Sequence, residues 1–425
     1  MPKNMCNTCS PPPFAAAMSR LFTPLAVAFL LLMVSAGFPA PAEPLNSYGI
    51  SSDRIIPGAW QTEKYLPLLE GKRVAVAVNH TSMVGNRHLA DTLLLSGVNV
   101  VKAFSPEHGF RGEAADGELV DDEYDETTRL PVISLYGTGQ RRPSATHLSD
   151  IDIIVFDIQD VGARFYTYVS TMTYIMQEAA SQGIPVMILD RPNPNGHYID
   201  GPVLELEYAS FIGLHPVPVV HGMTMAEYAQ MVNGEGWLGL GRVCELVIIK
   251  VENYTRQTPY CLPLPPSPNL PNMHSVYLYP SLCLFEGTQI SVGRGTPKPF
   301  QVFGHPEFPP ELFTFTFMPE SQPASKYPPL EGQTCYGKDL SIHSLDSLRA
   351  GNRINLAYLL EAYRHFPDKA AFFSDRAFDL RAGNSLLRNQ IRAGLSEEHI
   401  RMSWQEGLDA FRKFREPYLL YPDLD

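Results

Sequence analysis

The sequence contains little charge, and most of that charge is negative. Only 18% of its 425 residues are Asp, Glu, Lys or Arg, and 33 basic residues against 45 acidic ones give a formal net charge of -12. A protein that binds duplex nucleic acid needs a basic surface to replace the counterions on phosphate. We therefore predict no nucleic-acid partner. The apolar fraction of 44% is sufficient for a large folded core.

Several motifs that would identify an enzyme class are absent. No G-x-G-x-x-G follows the first predicted strand, and neither G-x-S-x-G nor H-E-x-x-H occurs. The sequence therefore gives no support to a dinucleotide site, a serine hydrolase of the α/β type or a zinc metalloprotease. Only four cysteines lie beyond residue 42, and the spacing of Cys244, Cys261, Cys283 and Cys335 is not that of a zinc site. We predict no cofactor and no metal site.

Long hydrophobic runs are also missing, with one short run near the N-terminus. Leu21–Val34 follows Arg20 and is too short to span a bilayer comfortably. Ala40-Pro-Ala42 then provides the small residues that signal peptidase requires. We predict a signal peptide of residues 1–42, cleavage near Ala42, and a periplasmic or extracellular mature chain without stable membrane insertion. The alternative for this segment is an N-terminal membrane anchor.

The residues after the signal alternate strand and helix patterns. Apolar strands are predicted at Val74–Val78, Val98–Phe104, Ile151–Ile158, Pro185–Asp190 and Cys244–Val251, and helices at His88–Ser96, Thr171–Gln182 and Thr224–Asn233. This alternation predicts an α/β domain with a parallel sheet covered on both faces, over residues 43–255.

A second, smaller α+β domain is predicted over residues 256–425. It would begin with a proline-rich loop at Tyr260–Pro280, and helices follow near Ile354–His365, Ser385–Arg392 and Glu397–Phe414. Because export permits disulfides, Cys244 and Cys261 could pair, although the sequence does not decide this.

Polar residues collect where the predicted strands end. In a parallel α/β sheet, ligands bind beyond the carboxyl ends of the strands, so these residues predict a cleft. They combine carboxylates with aromatic rings, arginines and amides, an inventory that suits a carbohydrate. The residues are Asn79, Glu107, His108, Asp157, Asp160, Arg164, Tyr166, Tyr168, Asp190, Arg191 and Asn193.

Five segments carry a family resemblance. They are Ser105-Pro-Glu-His-Gly109, Phe156–Tyr168, Leu189–Pro194, Cys283–Thr288 and Gly293-Arg-Gly-Thr296. Together they resemble the exo-β-N-acetylmuramidase family that includes the NamZ enzymes, over nearly the whole chain from Gly49 to Tyr421. The resemblance implies release of N-acetylmuramic acid from the non-reducing end of peptidoglycan fragments. It also implies a Rossmann-like N-terminal domain without a nucleotide role, and a site in the cleft between two domains.

Within that family reading, Glu107 is the predicted general acid/base. Glu286 and Asp157 are candidates for a second catalytic carboxylate, and Asp160 also qualifies. The 2-acetamido group of the substrate could serve as nucleophile instead, so the sequence leaves retention and inversion open.

The other expected roles concern substrate binding. A guanidinium matches the lactyl carboxylate of N-acetylmuramic acid, and Arg164, Arg191 and Arg294 are the candidates, with Arg164 or Arg294 favoured. Further expected contacts are His108, Asn79, Asp160, Tyr166, Tyr168, Asp190, Asn193, His221 and Asn269.

Two other functions compete with this reading. A non-catalytic binder of muropeptides or glycan ends would need the arginines and aromatic rings but no titrating carboxylate. A metal-dependent hydrolase would use Asp157, Asp160 and His108, although their spacing matches no metal motif.

Overall fold

The structure is a computed structural model that describes residues 54–112, 114, 118, 122–136 and 141–423. The predicted signal peptide lies outside these residues. The strands within them are β1 (Val74–Val78), β2 (Met83–Val84), β3 (Arg87–His88), β4 (Val100–Ser105), β5 (Glu123–Tyr124), β6 (Pro131–Ser134), β7 (Ile153–Asp157), β8 (Val186–Leu189), β9 (Asp200–Val203), β10 (Pro218–Val220), β11 (Leu246–Ile249), β12 (Val302–His305), β13 (Phe315–Phe317) and β14 (Cys335–Asp339).

Helices cover the sheets and form most of the C-terminal region. They are α1 (Thr62–Leu69), α2 (Leu89–Leu95), α3 (Ala145–Leu148), α4 (Tyr168–Gln182), α5 (Met225–Gly234), α6 (Met273–Leu282), α7 (Leu345–Ala350), α8 (Ala357–His365), α9 (Asp375–Ala382), α10 (Leu386–Arg392) and α11 (Glu397–Arg415). A 3-10 turn at Cys283–Gly287 continues directly from α6. No helix among the described residues is both long enough and apolar enough to cross a bilayer.

The N-terminal part is built on a sheet with the strand order β11-β8-β7-β1-β4-β6-β5. Neighbouring strands run parallel except β5, which is antiparallel to β6. Both faces of the sheet are buried. In β1, Ala75 and Ala77 join one hydrophobic cluster, while Val74, Val76 and Val78 join another. This arrangement confirms the α/β domain, because strands that are apolar on both sides need helices on both sides.

The C-terminal part is smaller and of the α+β type, as predicted. A three-stranded antiparallel sheet, β12-β14-β13, is accompanied by α7 to α11. In α11, Ile400, Trp404, Leu408 and Phe411 are buried at intervals of three and four residues, the spacing of one helical face. These side chains belong to the same cluster as the apolar face of α4, so one core extends through both parts. The predicted domain boundary at residues 255 and 256 stays a prediction.

The prediction of a loop over Tyr260–Pro280 was wrong at its C-terminal end. Helix α6 begins at Met273, because Asn272 accepts a hydrogen bond from the Ser275 amide at 3.1 Å and forms a capping box. Pro280 lies within this helix. A single proline near a helix end removes only one backbone hydrogen bond, so Pro280 is compatible with the helix.

Two further outcomes concern the cysteines and the strand ends. Cys244 and Cys261 do not form a disulfide with each other. Strands β1, β4 and β7 end side by side at one edge of the sheet, and α4 begins at that edge with Tyr168. The segment from Pro265 to Leu270 and helix α6 approach the same edge, which creates the concave region described next.

Candidate active site

A cavity of about 40 Å³ lies at the carboxyl ends of the strands, and both parts of the chain contribute to its walls. Predicted and unpredicted residues line it together. They are Glu107, His108, Phe165, Tyr166, Thr167, Tyr168, Ser267, Asn269, Leu270, Tyr279, Arg294 and Phe300.

Glu107 reaches this cavity from a tight turn at the end of β4. The Gly109 amide donates to the carbonyl of Pro106 at 3.0 Å, and His108 has a φ of 72°, in the left-handed region that favours glycine. His108 is fixed there on both sides, because Nδ1 lies 3.0 Å from the Ala114 carbonyl oxygen and Nε2 lies 3.0 Å from Ser267 Oγ. The strained turn thus holds Glu107 in one orientation.

Thr167 contacts the carboxylate of Glu107 directly. Its hydroxyl donates to Glu107 Oε2 at 3.1 Å, although Thr167 occupies the N-cap position of α4, where a hydroxyl usually binds the helix backbone. The carboxylate therefore lies beside the N-terminal end of a 15-residue helix, where the helix dipole favours negative charge.

Tyr166 and Tyr168 form an aromatic wall of the cavity. Their rings pack edge to face with centroids 4.8 Å apart, and Tyr166 donates to the Pro266 carbonyl at 2.7 Å. Asn79 donates to the Tyr168 hydroxyl at 3.0 Å from behind. Burial, reinforced by the charge of Glu107, raises the pKa of Tyr168, so this hydroxyl stays protonated. Asn79 therefore supports the wall rather than lining the cavity.

A second, larger cleft of about 540 Å³ shares Arg294 with the first cavity. Glu286 lies in it, at the 3-10 turn after α6. Arg294 Nε donates to Glu286 Oε1 at 2.6 Å, and an Arg381 nitrogen lies 3.7 Å from Oε2. Burial by itself would raise the pKa of Glu286, but the charges of Arg294 and Arg381 outweigh it and lower that pKa below its usual value. Glu286 is thus an ionised carboxylate between two guanidinium groups.

Asp157 and Arg191 form a buried ion pair away from both cavities. Asp157 accepts from Arg191 through both carboxylate oxygens, and the contact between Arg191 Nη2 and Asp157 Oδ2 is 2.9 Å. Both side chains are almost completely inaccessible to solvent. Within the described residues, neither lines a cavity. Both residues were predicted at the site, whereas their placement gives them a structural contact.

Arg164 is also placed in the interior. Its guanidinium donates to three backbone carbonyls, those of Pro202 at 3.0 Å, Val217 at 2.7 Å and Arg381 at 2.7 Å. Burial lowers the pKa of Arg164 to about 9. The side chain has no exposed surface with which to bind a lactyl carboxylate. It connects β9 to the segment that carries Arg381.

Four other predicted contacts lie in the interior of the described structure. Asp160 accepts from the Gly162 amide at 2.6 Å, and Asp190 accepts from the Tyr421 hydroxyl at 2.6 Å. Burial raises the pKa of both carboxyls to about 7. Asn193 donates to the Met223 carbonyl. His221 accepts from the Met223 amide, and burial lowers its pKa to about 3.

Several residues of the site were not predicted from the sequence. Thr167 stands between two predicted tyrosines and was within reach of a closer reading of that motif. Ser267 was not named as a contact, although the family resemblance implies that Pro266–Asn269 and Tyr279–Glu286 line a wall of the cleft. Tyr279 was assigned to a loop and lies on α6. Arg381 belongs to α9, more than 90 residues from Glu286 in sequence, and no local signal identifies it.

The described residues contain no group of three or more His, Cys, Asp or Glu side chains arranged to hold a metal ion. Several side chains of the two cavities can take part in chemistry. These are the carboxylate of Glu107, which accepts a hydrogen bond from Thr167, and the ionised carboxylate of Glu286. The guanidinium groups of Arg294 and Arg381 and a wall of tyrosine and phenylalanine rings accompany them.

Comparison with known proteins connects this geometry to a family. Residues 74–274 match the N-terminal family model described as exo-beta-N-acetylmuramidase NamZ, and residues 277–421 match the C-terminal one. A relative in Bacillus subtilis, strain 168, named peptidoglycan beta-N-acetylmuramidase NamZ, is 38% identical over 376 residues, which cover 84% of this chain and 89% of the relative.

Two crystal structures of Bacteroides fragilis proteins, both described as DUF1343 family proteins, have the same fold. One is 47% identical with a TM-score of 0.81 and covers 87% of this chain and 99% of its own. The other is 30% identical with a TM-score of 0.71 and covers 87% and 100%. The chain therefore belongs to the exo-β-N-acetylmuramidase NamZ family of glycoside hydrolases.

Proposed function

We propose that this protein releases N-acetylmuramic acid from the non-reducing end of peptidoglycan fragments, with Glu107 as the general acid/base. The observation that carries the proposal is the placement of Glu107, which is held by Thr167 and faces a cavity with an aromatic wall. The family and the Bacillus subtilis relative support the substrate class.

The surroundings of Glu107 suit proton transfer to a glycosidic oxygen. A general acid must be fixed within hydrogen-bond reach of the atom that it protonates. The strained turn and the hydroxyl of Thr167 restrict the carboxyl, which is half-buried in the cavity wall. The phenol rings of Tyr166 and Tyr168 provide an apolar surface for the C–H face of a sugar.

Glu286 is our candidate for the second carboxylate. It lies in the cleft that adjoins the Glu107 cavity, and its two arginine neighbours keep it ionised. An ionised carboxylate stabilises the positive charge that develops on a sugar ring during glycoside cleavage. Asp157 does not offer this, because both of its oxygens are bound by Arg191 in the interior.

Arg294 is our candidate for recognition of the lactyl carboxylate. Of the three arginines predicted for this role, it is the one that lines the cavity, within the part of the chain that the structure describes. Its Nε is bound to Glu286, and its guanidinium lies over the Phe300 ring at 4.9 Å. A planar guanidinium held in this way is pre-organised for a second carboxylate.

Substitution of Glu107 tests the function and the catalytic role together. Purified Glu107→Gln should lose about 10²–10⁴-fold in kcat on a chromogenic β-N-acetylmuramide, the usual contribution of a general acid. Glu123→Gln, on the exposed strand β5, is the matched control and should retain wild-type kcat.

Two results would contradict the proposal in different ways. Ordinary turnover by folded Glu107→Gln would exclude the acid/base role. Wild-type protein that binds the muramide in calorimetry but releases nothing would indicate a binding protein instead.

We also propose that the protein is exported and cleaved near Ala42, on the basis of the apolar run and small residues in its first 42 positions. Mass spectrometry of the protein from the native host should give a mature N-terminus at or near residue 43. A mature chain that retains these positions would contradict the proposal.

A further inference from the structure

His108 connects the turn that carries Glu107 to a distant segment of the chain. Its Nε2 lies 3.0 Å from Ser267 Oγ, and the two residues are 159 positions apart in sequence. Both side chains are almost fully buried, and both line the Glu107 cavity. Because solvent does not compete for a buried hydrogen bond, this contact is able to hold the turn in place.

The direction of this hydrogen bond follows from the other partners of the two side chains. His108 Nδ1 lies 3.0 Å from the Ala114 carbonyl oxygen, which only accepts, so Nδ1 carries the proton of the neutral ring and Nε2 is an acceptor. Ser267 Oγ accepts from the Asn269 amide at 3.2 Å, which leaves its hydroxyl hydrogen for Nε2. Ser267 therefore donates to His108.

Ser267 is a fixed partner, because its own segment is held against the edge of the sheet. Three of the four residues from 265 to 268 are prolines, whose rings restrict the backbone. The Tyr166 hydroxyl donates to the Pro266 carbonyl at 2.7 Å, and His80 Nε2 lies 2.8 Å from the Pro265 carbonyl oxygen. A hydroxyl on such a stiff segment has little freedom to move away from its acceptor.

The turn beside Glu107 needs a partner of this kind. His108 has a φ of 72°, a conformation that is unfavourable for a residue with a Cβ atom and persists only where the surroundings hold it. If His108 were released, the turn could relax and the neighbouring carboxyl of Glu107 would change direction. A misplacement of about 1 Å is enough to lower the rate of an enzyme reaction about a hundredfold.

We infer that Ser267 is a positioning residue, which acts through His108 to hold the carboxyl of Glu107 in its working orientation. The inference rests on the proposed function, since it assigns Ser267 to the proton-transfer step of that reaction. Neither Ser267 nor His108 exchanges a proton with the substrate in this role.

The test compares two aryl β-N-acetylmuramides that differ in their need for an acid. The phenyl muramide has a poor leaving group, which requires protonation by Glu107. The dinitrophenyl muramide releases a stable phenolate and does not require it. The measured quantity is kcat/KM, because it reports the steps up to cleavage of the glycosidic bond.

Ser267→Ala should lower kcat/KM on the phenyl muramide about tenfold, the scale of one lost hydrogen bond to a positioned group. On the dinitrophenyl muramide it should match the wild type. Glu107→Gln should show the same selectivity with a larger loss, because it removes the acid itself. A general loss of folded structure would lower both substrates together.

His108→Asn removes the same contact from the other side. Asparagine tolerates the left-handed backbone, and its amide nitrogen can still donate to the Ala114 carbonyl, but its side chain is too short to reach Ser267. This variant should show the same selective loss as Ser267→Ala. The double variant should lose no more than either single one, because both changes break one shared contact.

Ser149→Ala is the matched control. It removes an exposed serine hydroxyl that donates to the Thr146 carbonyl at 3.0 Å, at the end of α3, and should change neither substrate.

The opposite outcomes distinguish this inference from the proposed function. Equal losses on the two substrates, additive losses in the double variant, or full activity of Ser267→Ala on the phenyl muramide would overturn the positioning role. Failure of the wild-type protein to hydrolyse either muramide would overturn the proposed function instead.

Discussion

At the scale of single residues, the contact between Glu286 and Arg294 controls the charge of the site. Glu286 is bound by Arg294 at 2.6 Å and approached by Arg381 at 3.7 Å. Although burial favours the protonated form, these cations lower the pKa of Glu286. The two arginines therefore keep a partly buried carboxylate available as an anion when the solution becomes acidic.

Arg294→Ala should weaken both the charge of Glu286 and the recognition of the lactyl group. Because the pKa of Glu286 rises when a cation is removed, the acidic limb of the pH profile of kcat/KM should move to higher pH. Near neutral pH, kcat/KM on a chromogenic muramide should fall about ten- to hundredfold, the scale of a lost charge-assisted contact. The preference for muramide over the matching glucosaminide should fall as well.

Arg381→Ala is the control for this prediction. It removes the more distant cation, so the acidic limb should move in the same direction but less, and the sugar preference should remain. An acidic limb that stays in place in both variants would show that the charge of Glu286 does not limit the reaction. Unchanged sugar preference in Arg294→Ala would exclude the lactyl contact.

At the scale of elements, Arg381 depends on the close approach of α9 to the 3-10 turn that carries Glu286. A Cβ atom at Gly287 would lie 2.4 Å from Phe378 Cα and 2.6 Å from its backbone nitrogen, so only glycine allows α9 to pack at this distance. The Ser374 amide donates to the Gly287 carbonyl at 2.9 Å, directly before α9 begins. Packing of backbone on backbone thus places Arg381 beside Glu286.

Gly287→Ala should force these two elements apart. We expect the free energy of unfolding to fall by about 1–3 kcal/mol, as for other overpacked sites, and kcat/KM to fall because Arg381 moves away from Glu286. Urea unfolding and steady-state kinetics measure the two effects.

Gly407→Ala provides the comparison for that change. Gly407 lies inside α11, where an added Cβ would come no closer than 3.3 Å to Val203, and alanine is the better helix former. This variant should keep or gain stability. Equal stability of Gly287→Ala and wild type would show that α9 can shift without cost.

At the scale of the whole molecule, buried carboxyl groups connect stability to pH. Burial raises the pKa of Asp160 to about 7, above its model-peptide value of 3.8. The folded protein therefore holds this proton more tightly than the unfolded chain does. The resulting stability is fully present below about pH 4 and is lost as the pH rises through about 7.

Asp160→Asn should remove this pH dependence, because asparagine is neutral at every pH and can still accept from the Gly162 amide. The difference in unfolding free energy, variant minus wild type, should increase by about 4 kcal/mol from about pH 4 to about pH 8. Urea unfolding across this range measures it.

Asp152→Asn should show the opposite sign. The hydrogen bond from Arg73 lowers the pKa of Asp152 to about 2, so the stabilising effect of Asp152 is present above the unfolded pKa and is lost as the pH falls.

For Asp160, a difference in unfolding free energy between Asp160→Asn and wild type that does not change with pH would mean that Asp160 is ionised in the folded protein.

The sequence by itself determined the α/β class and the position of Glu107, since both follow from local pattern. Val74–Val78 and Ile153–Asp157 are apolar on both faces, and a polar segment directly after β4 has to emerge at the carboxyl edge of the sheet. Family motifs extended this to the substrate class.

Only the tertiary structure decided which polar residues face the cavities and which lie in the interior. Asp157, Arg164 and Arg191 have the same chemistry as Glu286 and Arg294, but partners distant in sequence bind them in the core. Arg381 became part of the site through the contact of Gly287 with α9. The physical reason is that a charged side chain is functional or structural according to what surrounds it, and those surroundings come from contacts that no local pattern contains.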